Sequence, residues 1–101
     1  MSHVLLVGQV TVRDPRMWAR YTAGVLPLVE RHGGRLLGAA SANARAVEGD
    51  WTPDFLFVQR WPSRAAFDAF YADPDYQPFK RLRHESADTR MTFIPEFSME
   101  D

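Results

Sequence analysis

The sequence predicts an α+β domain in which a four-stranded antiparallel sheet carries its helices on one face. Short runs rich in branched and aromatic residues alternate with segments whose apolar residues recur at helical spacing. Turn and capping residues separate these segments along the chain. The length of 101 residues fits one domain over residues 1–101.

Four segments have the composition of β-strands. They are residues 4–12, 35–48, 55–61 and 90–97. We interpret the second segment as two pieces of one strand, 35–40 and 44–48, split by a loop or bulge. Pro95 indicates that the last strand ends there or lies at a sheet edge, because proline cannot donate to a ladder.

The segments between these strands predict helices. Asp14 suits an N-cap and the following proline suits the first helical position. Pro27 removes a backbone donor and is expected to bend or interrupt this first helix, which Gly33 and its neighbour Gly34 should end. A second helical region begins at Ser63 and breaks near residues 73–75. The resulting order is β-α-β-β-α-β, the ferredoxin-like arrangement, with the second helix in two parts.

Both faces of the predicted sheet are apolar. In the first strand, Leu5 and Val7 point to one side of the sheet, and the other branched residues point to the other side. In the third strand, Leu56 and Val58 point to one side and the phenylalanines to the other. Helices cover only one face of this arrangement, so the second face predicts a protein partner. A second copy of the chain is the simplest one, and we expect a homodimer.

Composition argues against several functions. The chain has no cysteine, which excludes disulfides, thiolate metal sites and cysteine nucleophiles. A net charge of −1 gives no basic footprint for nucleic acid. The apolar run at residues 4–7 is too short to span a membrane and lacks the flanks of a signal peptide. We therefore expect a cytoplasmic protein that binds neither nucleic acid nor membranes.

Residues 47–53, VEGDWTP, allow three interpretations, one of which is a contact between two copies of the chain. Gly49 and Asp50 suit a turn between two strands, with Trp51 packed over the sheet end. Alternatively, Glu48 lines a pocket, where it acts as a proton acceptor or pairs with Arg35.

The other candidates lie on the helices. Tyr21 and Tyr71 are expected to bury their rings, either as plain core residues or with their hydroxyls presented to a ligand. Arg83 belongs to a basic run that is either a solvated helix face or a site for a small anion. His84 is a second catalytic candidate beside Glu48. No histidine pair has metal-ligand spacing and no dinucleotide or phosphate-binding motif occurs, so we expect no metal and no cofactor.

Four ordered motifs connect the chain with a known family. They are HGGR at 32–35, VEGDW-x-P at 47–53, WPSRAAFDAFYADPDYQ at 61–77 and FKRLR at 79–83. The sequence resembles the bacterial domain-of-unknown-function 1330 (DUF1330) family of the dimeric α+β barrel superfamily. This resemblance implies a ferredoxin-like fold, two sheets packed face to face across a two-fold axis, and a family arginine at Arg83.

The resemblance leaves the function open between two alternatives. Superfamily relatives include cofactor-independent monooxygenases, isomerases and cyclases, which implies an enzyme acting on a small organic, aromatic or oxidised molecule. The alternative is a non-catalytic homodimer that binds a metabolite or a partner. We expect a pocket between the helices and the sheet. The residues expected to reach it are Tyr21, Arg35, Glu48, Tyr71 and Arg83.

Overall fold

The computed structural model describes residues 3–41 and 43–97, and their elements follow the predicted order. The strands are β1 (Val4–Val12), β2 (Arg35–Ala40), β3 (Phe55–Trp61) and β4 (Ala87–Pro95). The helices are α1 (Pro15–Arg31), α2 (Arg64–Ala72) and α3 (Gln77–Ser86). Within this part of the chain, no helix is long and apolar enough to cross a membrane.

The four strands form one antiparallel sheet in the order β2-β3-β1-β4. This is the ferredoxin-like topology, and the predicted fold class is confirmed. Leu6 and Val10 of β1 are buried against the helices with Trp61 of β3, on what we call the inner face. The hydrophobic core lies between this face and the helices. Its buried members include Leu6, Val25, Leu28, Val29, Trp61, Phe67, Phe70 and Tyr76.

The outer face of the sheet carries the second set of apolar residues that the alternation predicted. Leu5 and Val7 of β1 lie beside Val58 of β3, and the exposed Ile94 lies opposite Leu5 on β4. No helix of the described chain packs on them, because the inner-face residues take the helix contacts.

The predicted strand piece at 44–48 is wrong. Ala40 pairs with Leu56, one residue from the start of β3, so β3 has almost no residues left to pair with a continuation of β2. The chain turns instead, since the Asn43 side chain accepts a hydrogen bond from the Ser41 N–H at 3.1 Å. The last strand also begins earlier than predicted, at Ala87, and ends at Pro95 on the β4 edge.

The start and end of α1 follow the predicted capping. Asp14 Oδ1 accepts hydrogen bonds from the N–H groups of the next turn, at 3.1 and 3.2 Å. Gly33 leaves the helix with a φ of 87°, a conformation that favours glycine. The expected interruption at Pro27 does not occur, since α1 continues to Arg31. Pro27 and Ala23 are both exposed, so water can bond the carbonyl that the proline leaves free.

Two ion-pair clusters join the elements. Asp73, between α2 and α3, accepts from His32 Nε2 at 2.8 Å and from Arg31 at 3.2 Å. The hydrogen bond from His32, followed by one from the Asp75 backbone, lowers the pKa of the Asp73 carboxyl. Glu96 accepts from Arg60 Nε at 2.8 Å, and this hydrogen bond lowers the pKa of Glu96.

Candidate ligand cavity

A cavity of about 80 Å³ lies between α1 and the inner face of the sheet, and we call it the α1–sheet cavity. Its walls are largely aromatic. Trp18 and Tyr21 of α1 are stacked with ring centroids 5.1 Å apart, and Phe55 of β3 meets Trp18 edge to face. Leu26 and Leu36 line it and are exposed, so the cavity opens to solvent between α1 and β2.

The floor of the cavity depends on a glycine. The ring of Phe57 on β3 lies over Gly8 of β1, where an added Cβ would be 2.2 Å from two ring atoms. Only a residue without a side chain lets the ring lie flat across the neighbouring strand at this distance. Phe57 and Met91, from the strands on either side of β1, then face the cavity together.

Arg83 of α3 forms the polar end of the cavity. Its side chain is buried, and the whole residue is only 3% exposed. The guanidinium donates to the hydroxyls of Tyr76 at 3.4 Å and Tyr71 at 3.1 Å, and to Thr89 Oγ1. All of its hydrogen-bond partners in the described chain are neutral hydroxyls, and none of the ion pairs found there includes it.

The Arg83 guanidinium stays charged in this environment. Burial lowers its pKa, but the neighbouring tyrosine oxygens, Tyr76 first, outweigh burial and leave the pKa above its usual value. The hydroxyls of Tyr21 and Tyr76 lie 3.1 Å apart, and burial, with Tyr76 adding to it, raises the pKa of Tyr21 well above its usual value. At neutral pH the site therefore combines one cation with protonated Tyr21.

The structure brings together three of the residues that the sequence singled out. Tyr21 and Arg83 line the α1–sheet cavity, and Tyr71 holds Arg83 while lining an adjoining cavity of about 20 Å³. The Tyr71 ring is fixed between Phe67, stacked at 5.4 Å, and the ammonium of Lys80 at 4.3 Å.

Three other candidates lie elsewhere. Glu48 is exposed in the connection between β2 and β3. Arg35 pairs with Arg60 in the register of the outer face and, with Glu30, lines an open depression of about 230 Å³ that shares Leu26 and Leu36 with the mouth of the α1–sheet cavity. His84 is exposed on α3, and burial and then Arg83 lower its pKa. None of the three lines the α1–sheet cavity. The catalytic roles of Glu48 and His84 and the ligand-binding role of Arg35 stay predictions.

The connection that contains Glu48 has the turn character that the sequence indicated. Gly49 has a φ of 81°, and residues 43–54 contain neither helix nor strand. Trp51 is 49% exposed, so only part of its ring is covered. The described residues contain no group of three or more histidines and carboxylates arranged to hold a metal ion.

A model of the "Domain of unknown function (DUF1330)" family matches residues 3–97. The chain belongs to this family. No curated protein matches its sequence.

Solved structures share the fold of this DUF1330 protein at low sequence identity. RPA0582, a protein of unknown function from Rhodopseudomonas palustris, has a TM-score of 0.83 at 21% identity, over 96% of this chain and 84% of that one. SnoaB, a cofactor-independent oxygenase from Streptomyces nogalater, has a TM-score of 0.68 at 17% identity, over 98% and 97%. A dimeric ferredoxin-like protein of unknown function from Thermobifida fusca has a TM-score of 0.63 at 12% identity, over 92% and 90%.

Sequence reasoning missed several cavity residues of this DUF1330 protein. Thr89 fell outside the predicted last strand, which was started at Arg90. With the strand begun at Ala87, period-two alternation places Thr89 and Met91 on the inner face together. The cavity role of Trp18 had no signal beyond its place on the apolar face of α1.

Proposed function

We propose that this DUF1330 protein binds a small aromatic molecule in the α1–sheet cavity. The observation that carries the proposal is an open cavity with stacked aromatic walls and one polar end formed by Arg83. Ligand sites are typically apolar concavities with a few converging polar groups. Flat aromatic walls favour a planar ring, which they contact face to face or edge to face.

The size of the cavity limits the ligand to about one ring. At roughly 10–15 Å³ for each water-sized position, the 80 Å³ of the main cavity holds about five to eight non-hydrogen atoms. The adjoining cavity of about 20 Å³ shares Tyr21 and Phe57 with it and leaves room for a substituent.

Binding fits this site better than proton-abstracting catalysis. An enzyme that removes a proton needs a base within hydrogen-bond reach of its substrate. The described residues that line the cavity include no carboxylate and no histidine, and Glu48 and His84 lie outside it. SnoaB is a cofactor-independent oxygenase, but the likeness to it concerns the fold, and fold alone does not assign an activity.

A cavity-filling variant tests the proposal. Val25 is buried on α1 and lines both cavities, so Val25→Phe should fill the space that a ring would occupy. Ala23→Phe adds a larger group to the exposed side of the same helix and is the matched control. A panel of single-ring aromatics would be screened by ligand-observed NMR and titrated by calorimetry.

We expect members of the panel to bind the wild-type protein and Ala23→Phe alike, and to bind Val25→Phe at least about tenfold more weakly. Failure of every ring to bind the wild-type protein at millimolar concentration would refute the proposal. Equal binding to Val25→Phe would place the ligand elsewhere and would refute it as well.

We further propose that a second copy of the chain covers the outer face of the sheet. Leu5, Val7, Leu56 and Val58 form a contiguous apolar surface there, and antiparallel sheets without a covering layer normally expose polar residues. The dimeric ferredoxin-like structural neighbour supports this assembly. Light scattering should give twice the chain mass of 11.6 kDa.

A charge on the outer face should separate the two copies. Val58→Lys is expected to give the monomer mass at micromolar concentration, whereas Ala69→Lys on the exposed side of α2 should stay dimeric. A wild-type protein with the mass of one chain would contradict the assembly and leave the cavity proposal intact.

A further inference from the structure

We propose that the ligand of the α1–sheet cavity carries an anionic oxygen, as an aromatic carboxylate or a phenolate does, and that Arg83, Tyr21 and Thr89 receive that oxygen. This inference rests on the proposed function and specifies its ligand class.

The first argument is the charge of the site. A buried guanidinium is normally compensated by a carboxylate, because removal of a charge from water is costly. Arg83 is 3% exposed, and its partners in the described chain are three neutral hydroxyls. The carboxylates of Asp73 and Glu96 pair with other cations. An anion in the adjacent cavity would supply the missing negative charge.

The second argument is the number of free donors. A guanidinium has five N–H groups in a planar fork. Three of them account for the hydrogen bonds to Tyr71, Tyr76 and Thr89. The other two N–H groups have no acceptor among the residues that the structure describes, and Arg83 lines the cavity. A planar carboxylate matches such a fork better than any neutral group.

The third argument is the direction of the hydrogen bonds around the cation. The Tyr76 oxygen accepts from Arg83 Nε and lies 3.1 Å from the Tyr21 oxygen, where either hydroxyl can be the donor. Burial keeps the Tyr21 hydroxyl protonated, so it has a proton to donate to Tyr76 or to a ligand in the cavity. Thr89 likewise accepts from Arg83 and keeps its own proton to donate. Tyr21, Thr89 and Arg83 all line the cavity, and each offers it a donor.

The test uses ligands that are matched in shape and differ in charge. Benzoate and benzamide have nearly the same outline, and calorimetry at pH 7 would compare their dissociation constants. Hydrogen bonds to a charged group are stronger than those between neutral groups, so we expect benzoate to bind about 10- to 100-fold more tightly than benzamide. In Arg83→Met this preference should fall to about one, while benzamide affinity stays within roughly twofold.

Thr89→Val provides a second test that keeps the cation. It removes one donor with little change in volume, and we expect benzoate to weaken several-fold while benzamide is unaffected. If Arg83→Met does not fold, the benzoate preference of the wild-type protein decides the anion proposal and this variant decides the role of Thr89. Equal weakening of both ligands, or no weakening of either, would overturn the assignment of Thr89 to the anion site.

A third probe distinguishes carboxylate from phenolate. The yellow phenolate form of 4-nitrophenol reports its own charge, and stronger phenolate absorbance at a fixed pH on binding would indicate that the site takes up the anion. Tight binding of nitrophenolate without a benzoate preference would assign the ligand to the phenolates. The anion proposal would be overturned if benzamide bound as tightly as benzoate and the phenolate absorbance did not increase. The proposal that the α1–sheet cavity binds aromatic molecules would then be unaffected. Absence of binding by all three probes would count against both.

Discussion

Tyr76→Phe tests whether the hydroxyl network around Arg83 stabilises the fold. Tyr76 is 2% exposed, and its ring packs on Phe70 with centroids 4.3 Å apart. Phenylalanine keeps this packing and removes only the hydroxyl. The lost oxygen accepts from Arg83 Nε at 3.4 Å and lies 3.1 Å from the Tyr21 oxygen.

The expected loss comes mainly from the Arg83 donor. A buried donor without an acceptor costs about 1–3 kcal/mol, and the long 3.4 Å bond favours the lower half of that range. Tyr21 lines an open cavity, where water can replace its partner and adds little to the loss. We therefore expect the free energy of unfolding to fall by about 1–2 kcal/mol, which corresponds to roughly 5–15 °C in Tm for a chain of this length.

Urea denaturation at pH 7 without ligand measures this difference, at one fixed protein concentration because an assembly makes stability depend on concentration. The matched control is Tyr71→Phe, which also removes an acceptor of Arg83, here at 3.1 Å. Tyr71 is only half-buried, so water can take the place of its hydroxyl, and the loss should be smaller. A Tyr76→Phe protein as stable as the wild type, or less affected than Tyr71→Phe, would refute this reasoning.

Three further changes have expected outcomes. The pKa values of Asp73 and Glu96 lie below their ordinary values of 3.8 and 4.5. Both carboxylates therefore stabilise the fold at a pH above those ordinary values. This stabilisation is lost as they become protonated, so the urea midpoint should fall as the pH drops below about 4. Gly8→Ala forces the aromatic ring above it to shift and should cost about 1–3 kcal/mol and weaken aromatic ligands. Gly38→Ala, with no atom within 4 Å of its added Cβ, should change neither property. Gly33 has a positive φ, which alanine adopts only with strain. Gly33→Ala should therefore lower the free energy of unfolding by about 1 kcal/mol. A pH-independent midpoint, or alanine variants that match Gly38→Ala, would contradict these expectations.

The fold was predictable because its local signals agree with one another. Alternation along β1 predicted which residues face the helices, and the register with β3 places them there. Asp14 and Gly33 predicted the ends of α1 from the backbone groups that a helix leaves unpaired. The segment 44–48 misled because its apolar residues suit a strand, whereas pairing depends on a partner. The third strand was correctly predicted at 55–61, and its register with β2 leaves almost no residues to pair with 44–48.

The candidate site was only partly predictable for a related reason. Tyr21, Tyr71 and Arg83 lie on helices whose buried faces point at the same sheet, so helical periodicity brought them together. Arg35 and Glu48 were placed near them because both were assigned to the two pieces of one broken strand. Alternation assigns Arg35 to the register of the outer face, in line with Arg60. Glu48 follows the end of β2 and lies in the exposed connection, where neither face of the sheet fixes its position.

The open space beside Arg83 does not need an interruption of α1, which runs through Pro27 as one helix. Close apolar packing against the cation is unfavourable there, since it would leave the remaining N–H groups of Arg83 unsatisfied. A well-packed hydrophobic residue would fill the position at little or no cost in stability, because buried charges seldom stabilise a fold. A buried charged residue that has no opposite charge beside it is expected at a functional position, because it does not serve the packing of the core. On that reasoning we propose that Arg83 serves a ligand rather than the fold, and the benzoate preference and its loss in Arg83→Met would measure that contribution directly.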